Sequence, residues 1–217
     1  MKVYLDAGHG GRDSGAVGGV RLEKDDCQML TNLVSDLLQN SGITVVVNTN
    51  PDENLSEVAS QANAENVDLF ISIHRNAFND LKANGLEVWT CLNARPTTKA
   101  NAKIMYDKLM SVTNEMTGRG VKESNFYVLK YTNMPAMLLE VGFITNQHDN
   151  ALFDKYIFDY ATAIAQAICE IVKIPFLAKT QKTYTVQLAN YIDKKKAESV
   201  LQDAKNKGFG EACIVWY

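Results

Sequence analysis

Short apolar runs recur along this chain between segments of helical periodicity, and that alternation constrains the fold more than any other feature. Ile43–Val47 is a continuous β-branched run, and Asp68–Ile73 reads the same way; runs of this kind suit strands covered on both faces. Lys2–Asp6 alternates and stops at a glycine cluster, and Leu86–Leu92, Phe126–Leu129 and Ala136–Val141 complete the expected strands. Between them, residues 23–40 place Leu30, Leu33, Val34, Leu37 and Leu38 on one helical face, with Gly42 just past the end. Leu55–Glu65, Thr98–Met116 and 151–172 are the other expected helices. Strands alternating with helices give an α/β fold, a mostly parallel sheet with helices on both faces. The close pair of strands around Pro135 leaves room for a mixed or antiparallel element.

Pro175 ends this pattern, and 175–182 reads as a linker. The remainder, 183–217, gives a strand, a helix and a strand, a separate βαβ unit. At 217 residues and 46% apolar content, the chain can bury a core without disulfides. Its four cysteines, Cys27, Cys91, Cys169 and Cys213, are scattered and form no CxxC, so buried free thiols are expected. A net charge of −3 argues against a dedicated nucleic-acid binder. No apolar run approaches the ~20 residues of a membrane span. No secretory signal precedes the first strand, so synthesis and first residence in the cytoplasm are expected.

Two of the three histidines follow strands directly, His9 in DAGHGG and His74 at the end of ISIH. Ligands gather outside the carboxyl ends of strands in open α/β sheets, where both rings are expected. Each is also readable as a histidine bonded to backbone at a strand end. Glu140 lies in the apolar strand AMLLEVGF, where a carboxylate is costly unless paired or coordinated. Glu23 opens a helix, a place where an acid also serves simply to balance the helix dipole. Two histidines and one glutamate make a zinc site with one open position for water, and a further carboxylate nearby can take the water's proton. HExxH is absent, and AGHGGRDSG matches neither nucleotide-binding glycine fingerprint.

Four blocks in order, VYLDAGHGGRDSGA, LEKD, FISIHRNA and FYVLKYTNMPAMLLEVGFITN, resemble the zinc-dependent N-acetylmuramoyl-L-alanine amidases over residues 1–174. The resemblance implies a three-layer αβα catalytic domain holding one Zn2+ on His9, Glu23 and His74, with Glu140 as the catalytic glutamate. It implies hydrolysis of the amide between N-acetylmuramic acid and L-alanine in peptidoglycan. Arg75 departs from the small residue usual after the second histidine; it reads either as a rim clamp for a stem carboxylate or as a solvent-facing loop residue. His148 matches no ligand block. With no signal peptide, such an enzyme reaches the wall after lysis or membrane permeabilisation, as a phage endolysin or an autolysin does. A zinc peptidase or deacetylase acting on another wall bond, and a catalytically inactive wall-binding protein, stay open as alternatives.

Residues 183–215, TYTVQLANYIDKKKAESVLQDAKNKGFGEACIV, resemble one half of the SPOR-type repeat, a module associated with peptidoglycan binding. A unit of roughly 35 residues is too small to bury its own faces, and two strands leave open edges. A homodimer through 183–217 is therefore expected, two copies completing one four-stranded module.

Overall fold

The computed structural model describes residues 1–48, 52, 54–178, 198–199 and 202. The chain divides into two units, Met1–Lys179 and Thr180–Tyr217, and the following concerns the first. The SPOR-like module, most of its linker, the dimer interface and Cys213 lie outside the described residues.

The first unit runs β1 (Lys2–Ala7), β2 (Val17–Gly18), β3 (Arg21–Leu22), α1 (Glu23–Asn40), β4 (Thr44–Val47), α2 (Leu55–Ala64) and β5 (Leu69–Asn76). It continues with β6 (Leu86–Thr90), α3 (Pro96–Met110), β7 (Gly118–Glu123), α4 (Tyr127–Lys130), β8 (Ala136–Phe143) and α5 (Gln147–Val172). Six strands form one sheet in the order β4-β1-β5-β8-β6-β7. The first four are parallel, β6 runs antiparallel to β8, and β7 follows β6 in parallel. This is an α/β fold with a mixed, mostly parallel sheet.

The period-2 pleat sorts side chains between two unequal cores. Val3, Leu5, Leu69, Ile71, Ile73, Met137, Leu139 and Val141 face the larger core under α1, α3 and α5. Tyr4, Phe70, Ala136 and Leu138 face a smaller one, filled by Val58 and Ala62 of α2 and by Val128 and Leu129 of α4. The helices make the outer two of three layers. Helix α2 is stopped from fraying by a capping box, Asn54 accepting from Ser56 and Glu57 amides while Glu57 reaches back to the Asn54 amide. The Asn146 side chain caps α5 by accepting the His148 and Asp149 amides, and Pro96 opens α3 at a position that needs no amide donor. No helix among the described residues is long and apolar enough to cross a membrane.

Several expectations need correction. Phe126–Leu129 is not a strand: Phe126 leads into the single helical turn α4, which points Val128 and Leu129 into the smaller core. The strand of that region is β7, whose sequence GRGVKE hides it behind two glycines and three charges. It is an edge strand, half-exposed along its length, and edge strands tolerate charge. Helix α3 ends at Met110 rather than Met116, and α5 begins at Gln147 rather than 151. The antiparallel element lies between β6 and β8, not between two strands flanking Pro135. Cys27 and Cys169 are buried free thiols, whereas Cys91 is only half-buried.

Candidate metal centre

Strands β1, β5 and β8 deliver their last residues to the same edge of the sheet. Asp6, Ser72, His74 and Glu140 fall on the side of the thinner core, since each lies two residues on from a residue already facing it. His74 and Glu140 are direct partners across β5 and β8. His9 lies two residues beyond β1 in a left-handed conformation (φ 64°), which turns the chain back at once. A reciprocal pair of backbone bonds between Gly10 and Asp13 closes that turn, at 3.0 and 2.8 Å. Glu23 comes from a different direction, as the first residue of α1.

These three side chains converge. Glu23 lies 3.2 Å from His9 Nε2 and 3.0 Å from His74 Nδ1. The two rings meet edge to face, centroids 5.1 Å apart. One donor atom from each of His9, Glu23 and His74 falls within 4.8 Å of the other two. Two imidazole nitrogens and a carboxylate oxygen are a donor set suited to zinc. The glycines make this closeness possible: a Cβ on Gly8 would overlap the His74 ring, and one on Gly15 would meet both His9 and Glu23 at under 3 Å.

Supporting bonds fix the donors. Asp13 Oδ2 accepts from or faces His9 Nδ1 at 2.8 Å, which leaves Nε2 turned toward Glu23. Its other oxygen takes the Gly15 amide at 2.9 Å. Asp13 was missed in the sequence, although an acid four residues after a histidine inside a glycine-rich turn is the signal that finds it. Glu23 further accepts the Ala16 and Arg75 amides at 2.8 and 3.1 Å. Burial opposes its charge, yet the hydrogen bonds of His74 and His9 hold its carboxyl well below the usual range. Without a metal, the Glu23 hydrogen bond raises His9 to about 9 against the effect of burial. Burial likewise opposes charge on His74, and Glu23 and Glu140 outweigh it, leaving its pKa raised.

Glu140 lines the same cavity of about 320 Å³ as the three donors, together with Asp6, Leu55, Phe126 and Tyr127. Its Oε2 is buried and has no hydrogen-bond partner among the described residues. Burial pushes its carboxyl up to about 7, the charge of His74 opposing and those of Glu23 and Glu87 adding. The buried ion pair weighed for Glu140 is therefore not what holds it. Asp6 instead is satisfied, accepting the Ser72 hydroxyl at 2.6 Å.

Arg75 is neither a rim clamp nor a solvent-facing loop residue. Its side chain passes to the opposite face of the sheet from His74 and is 2% exposed. There Nη1 donates to Asp26 at 2.6 Å, Nη2 to Asn150 at 2.7 Å, and the guanidinium lies 4.1 Å from the Phe153 ring centroid. Its role is to tie α1 to α5 beneath β5. His148 stands apart from the centre, its Nε2 facing the Glu115 carbonyl at 3.4 Å.

Comparison with known proteins places this geometry. A family model described as N-acetylmuramoyl-L-alanine amidase matches residues 3–170. The uncharacterized protein YqiI of Bacillus subtilis (strain 168) is 40% identical over 150 residues, covering 68% of this chain and 72% of that protein. The endolysin of Bacillus phage SPP1 is 34% identical over 180 residues, covering 79% and 66%. Among solved structures, the N-acetylmuramoyl-L-alanine amidase AmiC2 of Nostoc punctiforme superposes with a TM-score of 0.74 at 31% identity, covering 80% of this chain and 97% of that one.

Proposed function

This chain belongs to the N-acetylmuramoyl-L-alanine amidase family, and from that premise we propose that it hydrolyses the amide joining the lactyl group of N-acetylmuramic acid to L-alanine in peptidoglycan. In this reading His9, Glu23 and His74 hold one zinc ion, and Glu140 is the general base. Bound there, zinc supplies a Lewis acid and lowers the pKa of water. The observation that carries the reading is the buried Glu140 Oε2, which has no partner among the described residues, on a residue that lines the same cavity as the three donors.

The chemistry of the chain's own residues follows from their positions. Burial pushes the Glu140 carboxyl upward, which suits a group that must both take and return a proton. Glu140 Oε2 accepts the proton of water as its oxygen bonds to the lactyl carbonyl carbon. It returns that proton to the L-alanine nitrogen as the C–N bond breaks. The products are a lactyl carboxylate and a stem peptide with a free amino terminus. Asp13 holds the His9 imidazole in place through Nδ1, and Arg75 steadies the start of α1 from below.

The family match stops at residue 170, which supports a division into a catalytic domain over 1–174, a linker over 175–182 and a separate module over 183–217. We read that module as SPOR-like, binding wall polymer and pairing with a second copy. The resemblance to a phage endolysin supports action on the wall after lysis or membrane permeabilisation.

Digestion of purified sacculi tests the reading. Zinc-loaded protein should release new L-alanine amino termini without new reducing sugars, and chelation should stop it. Glu140→Gln should slow the rate by ~10²–10⁴ with zinc still bound. Release of reducing sugars, or of amino termini on another residue, would move the activity to a different wall bond. A near wild-type rate in Glu140→Gln would make that residue structural.

A further inference from the structure

Arg75 is spoken for beneath the sheet, so recognition of the substrate's acidic stem must come from elsewhere. Beyond Glu140, on the side away from His9 and His74, lies a cluster that the hydrolytic chemistry does not use. Glu87 on β6 is 1% exposed and is the direct partner of Glu140 across β6 and β8. One of its oxygens receives both Arg119 Nε and Lys122 Nζ, the latter at 2.7 Å, and the other receives Trp89 Nε1 at 2.9 Å.

One carboxylate bound to two cations leaves a net positive charge. One cation would have neutralised it. Both cations are also held in place: Lys122 Nζ lies 5.3 Å from the Trp89 ring centroid, and the Arg119 guanidinium 5.0 Å from that of Phe143. Their side chains remain 32% and 36% exposed. Arg119 Nη2 and two of the three Lys122 donor positions have no partner among the described residues. Fixed, unsaturated donors with excess positive charge form a receptor for an anion.

We propose that Arg119 and Lys122 seat the first carboxylate of the leaving peptide beyond L-alanine, and thereby set which stems the enzyme prefers. This rests on the amidase reading above. Spacing agrees with it. Adjacent strands lie ~4.8 Å apart, and Glu87 draws both cationic ends back toward β6, one strand from Glu140. An extended peptide advances ~3.3 Å per residue, so a group one or two residues past the scissile amide reaches this distance. The glycan on the other side of the scissile bond offers no comparable charge to a pair of cations. The pair has the chemistry of the stem.

The test uses full-length, zinc-loaded protein and two soluble muropeptides that differ only at the residue after L-alanine, its carboxylate free or amidated. Wild type should favour the free acid by ~10-fold or more in kcat/KM, as charge-assisted hydrogen bonds warrant. Arg119→Gln and Lys122→Gln should each bring the ratio of the two substrates toward one, and Arg119→Lys and Lys122→Arg should restore it in part. Zinc content and melting temperature are read on every variant. Should Arg119→Gln fail to fold, Lys122→Gln decides alone. A wild-type ratio near one, or a ratio unmoved in the folded Gln variants, overturns the proposal while leaving the amidase reading intact. Cleavage of neither muropeptide by wild type overturns both.

Discussion

In the proposed zinc site, Glu23 would serve two competing occupants. In the metal-free protein its oxygens hold His9 and His74 by hydrogen bonds that favour their protonated forms. Zinc takes only neutral imidazole nitrogens, so its uptake expels protons. Both histidine pKa values are raised, hence affinity must grow as pH rises toward them. Between pH 6 and 7 apparent zinc affinity should rise by ~10–100-fold, one power of ten per proton released. A competitive chelator titration at the two pH values checks this, and a flat profile would show that the metal binds elsewhere. Arg75 belongs to the same scale. Arg75→Ala removes a buried partner of Asp26, although Arg21 stays bound to that carboxylate at 2.6 Å. A loss of about 3 kcal/mol in denaturant unfolding is expected, the low end for breaking a buried pair. Unchanged stability with a raised KM would return Arg75 to the substrate.

Among the elements, the β1–α1 connection is where space is tightest. Gly8 has none of the positive φ values found at Gly10, Gly11 and Gly15, so its backbone suits alanine, and the nearest obstacle to a Cβ is the His74 ring. Gly8→Ala should therefore keep the circular dichroism of the fold and lower zinc affinity by ~10–100-fold, the usual effect of disturbing a ligand's support. Full affinity in that variant would show that His74 has room to turn. The same elements show what the sequence could and could not disclose. Strands β1, β5 and β8 are apolar because both faces are covered, and that is visible in one dimension; β4, an edge strand with no fully buried residue, shows itself only through its β-branched run. Strand β7 pairs on one edge only and carries Arg119, Lys122 and Glu123, so no hydrophobic pattern betrays it. The sequence blocks name His9, Glu23 and His74, and the fold brings their donor atoms within 4.8 Å of one another. The place of Arg75 is not legible, because adjacency to His74 along a strand says it lies near the site, whereas the pleat sends it to the other face.

At the scale of the molecule, the core under α1, α3 and α5 is complete by Phe176, since Ile174 and Phe176 still pack against it past the end of α5. Beyond it, Leu177 is fastened to the end of α1, its amide to Ser41 Oγ at 3.1 Å and its carbonyl to Asn40 Nδ2 at 2.9 Å. A truncation after Ala178 should therefore fold, bind zinc and hydrolyse soluble muropeptides. If 183–217 pairs with a second copy, sedimentation will give a dimer for the full chain and a monomer for the truncation. A monomeric full chain at micromolar concentration refutes the pairing. The parts of the proposed centre stand at positions 9, 23, 74 and 140, and only pairing of β8 with β5 brings the last beside the first three. A nascent or half-unfolded chain thus carries no working blade. The enzyme is armed by folding itself, and hydrolytic activity recovered after denaturation counts the molecules whose sheet has closed.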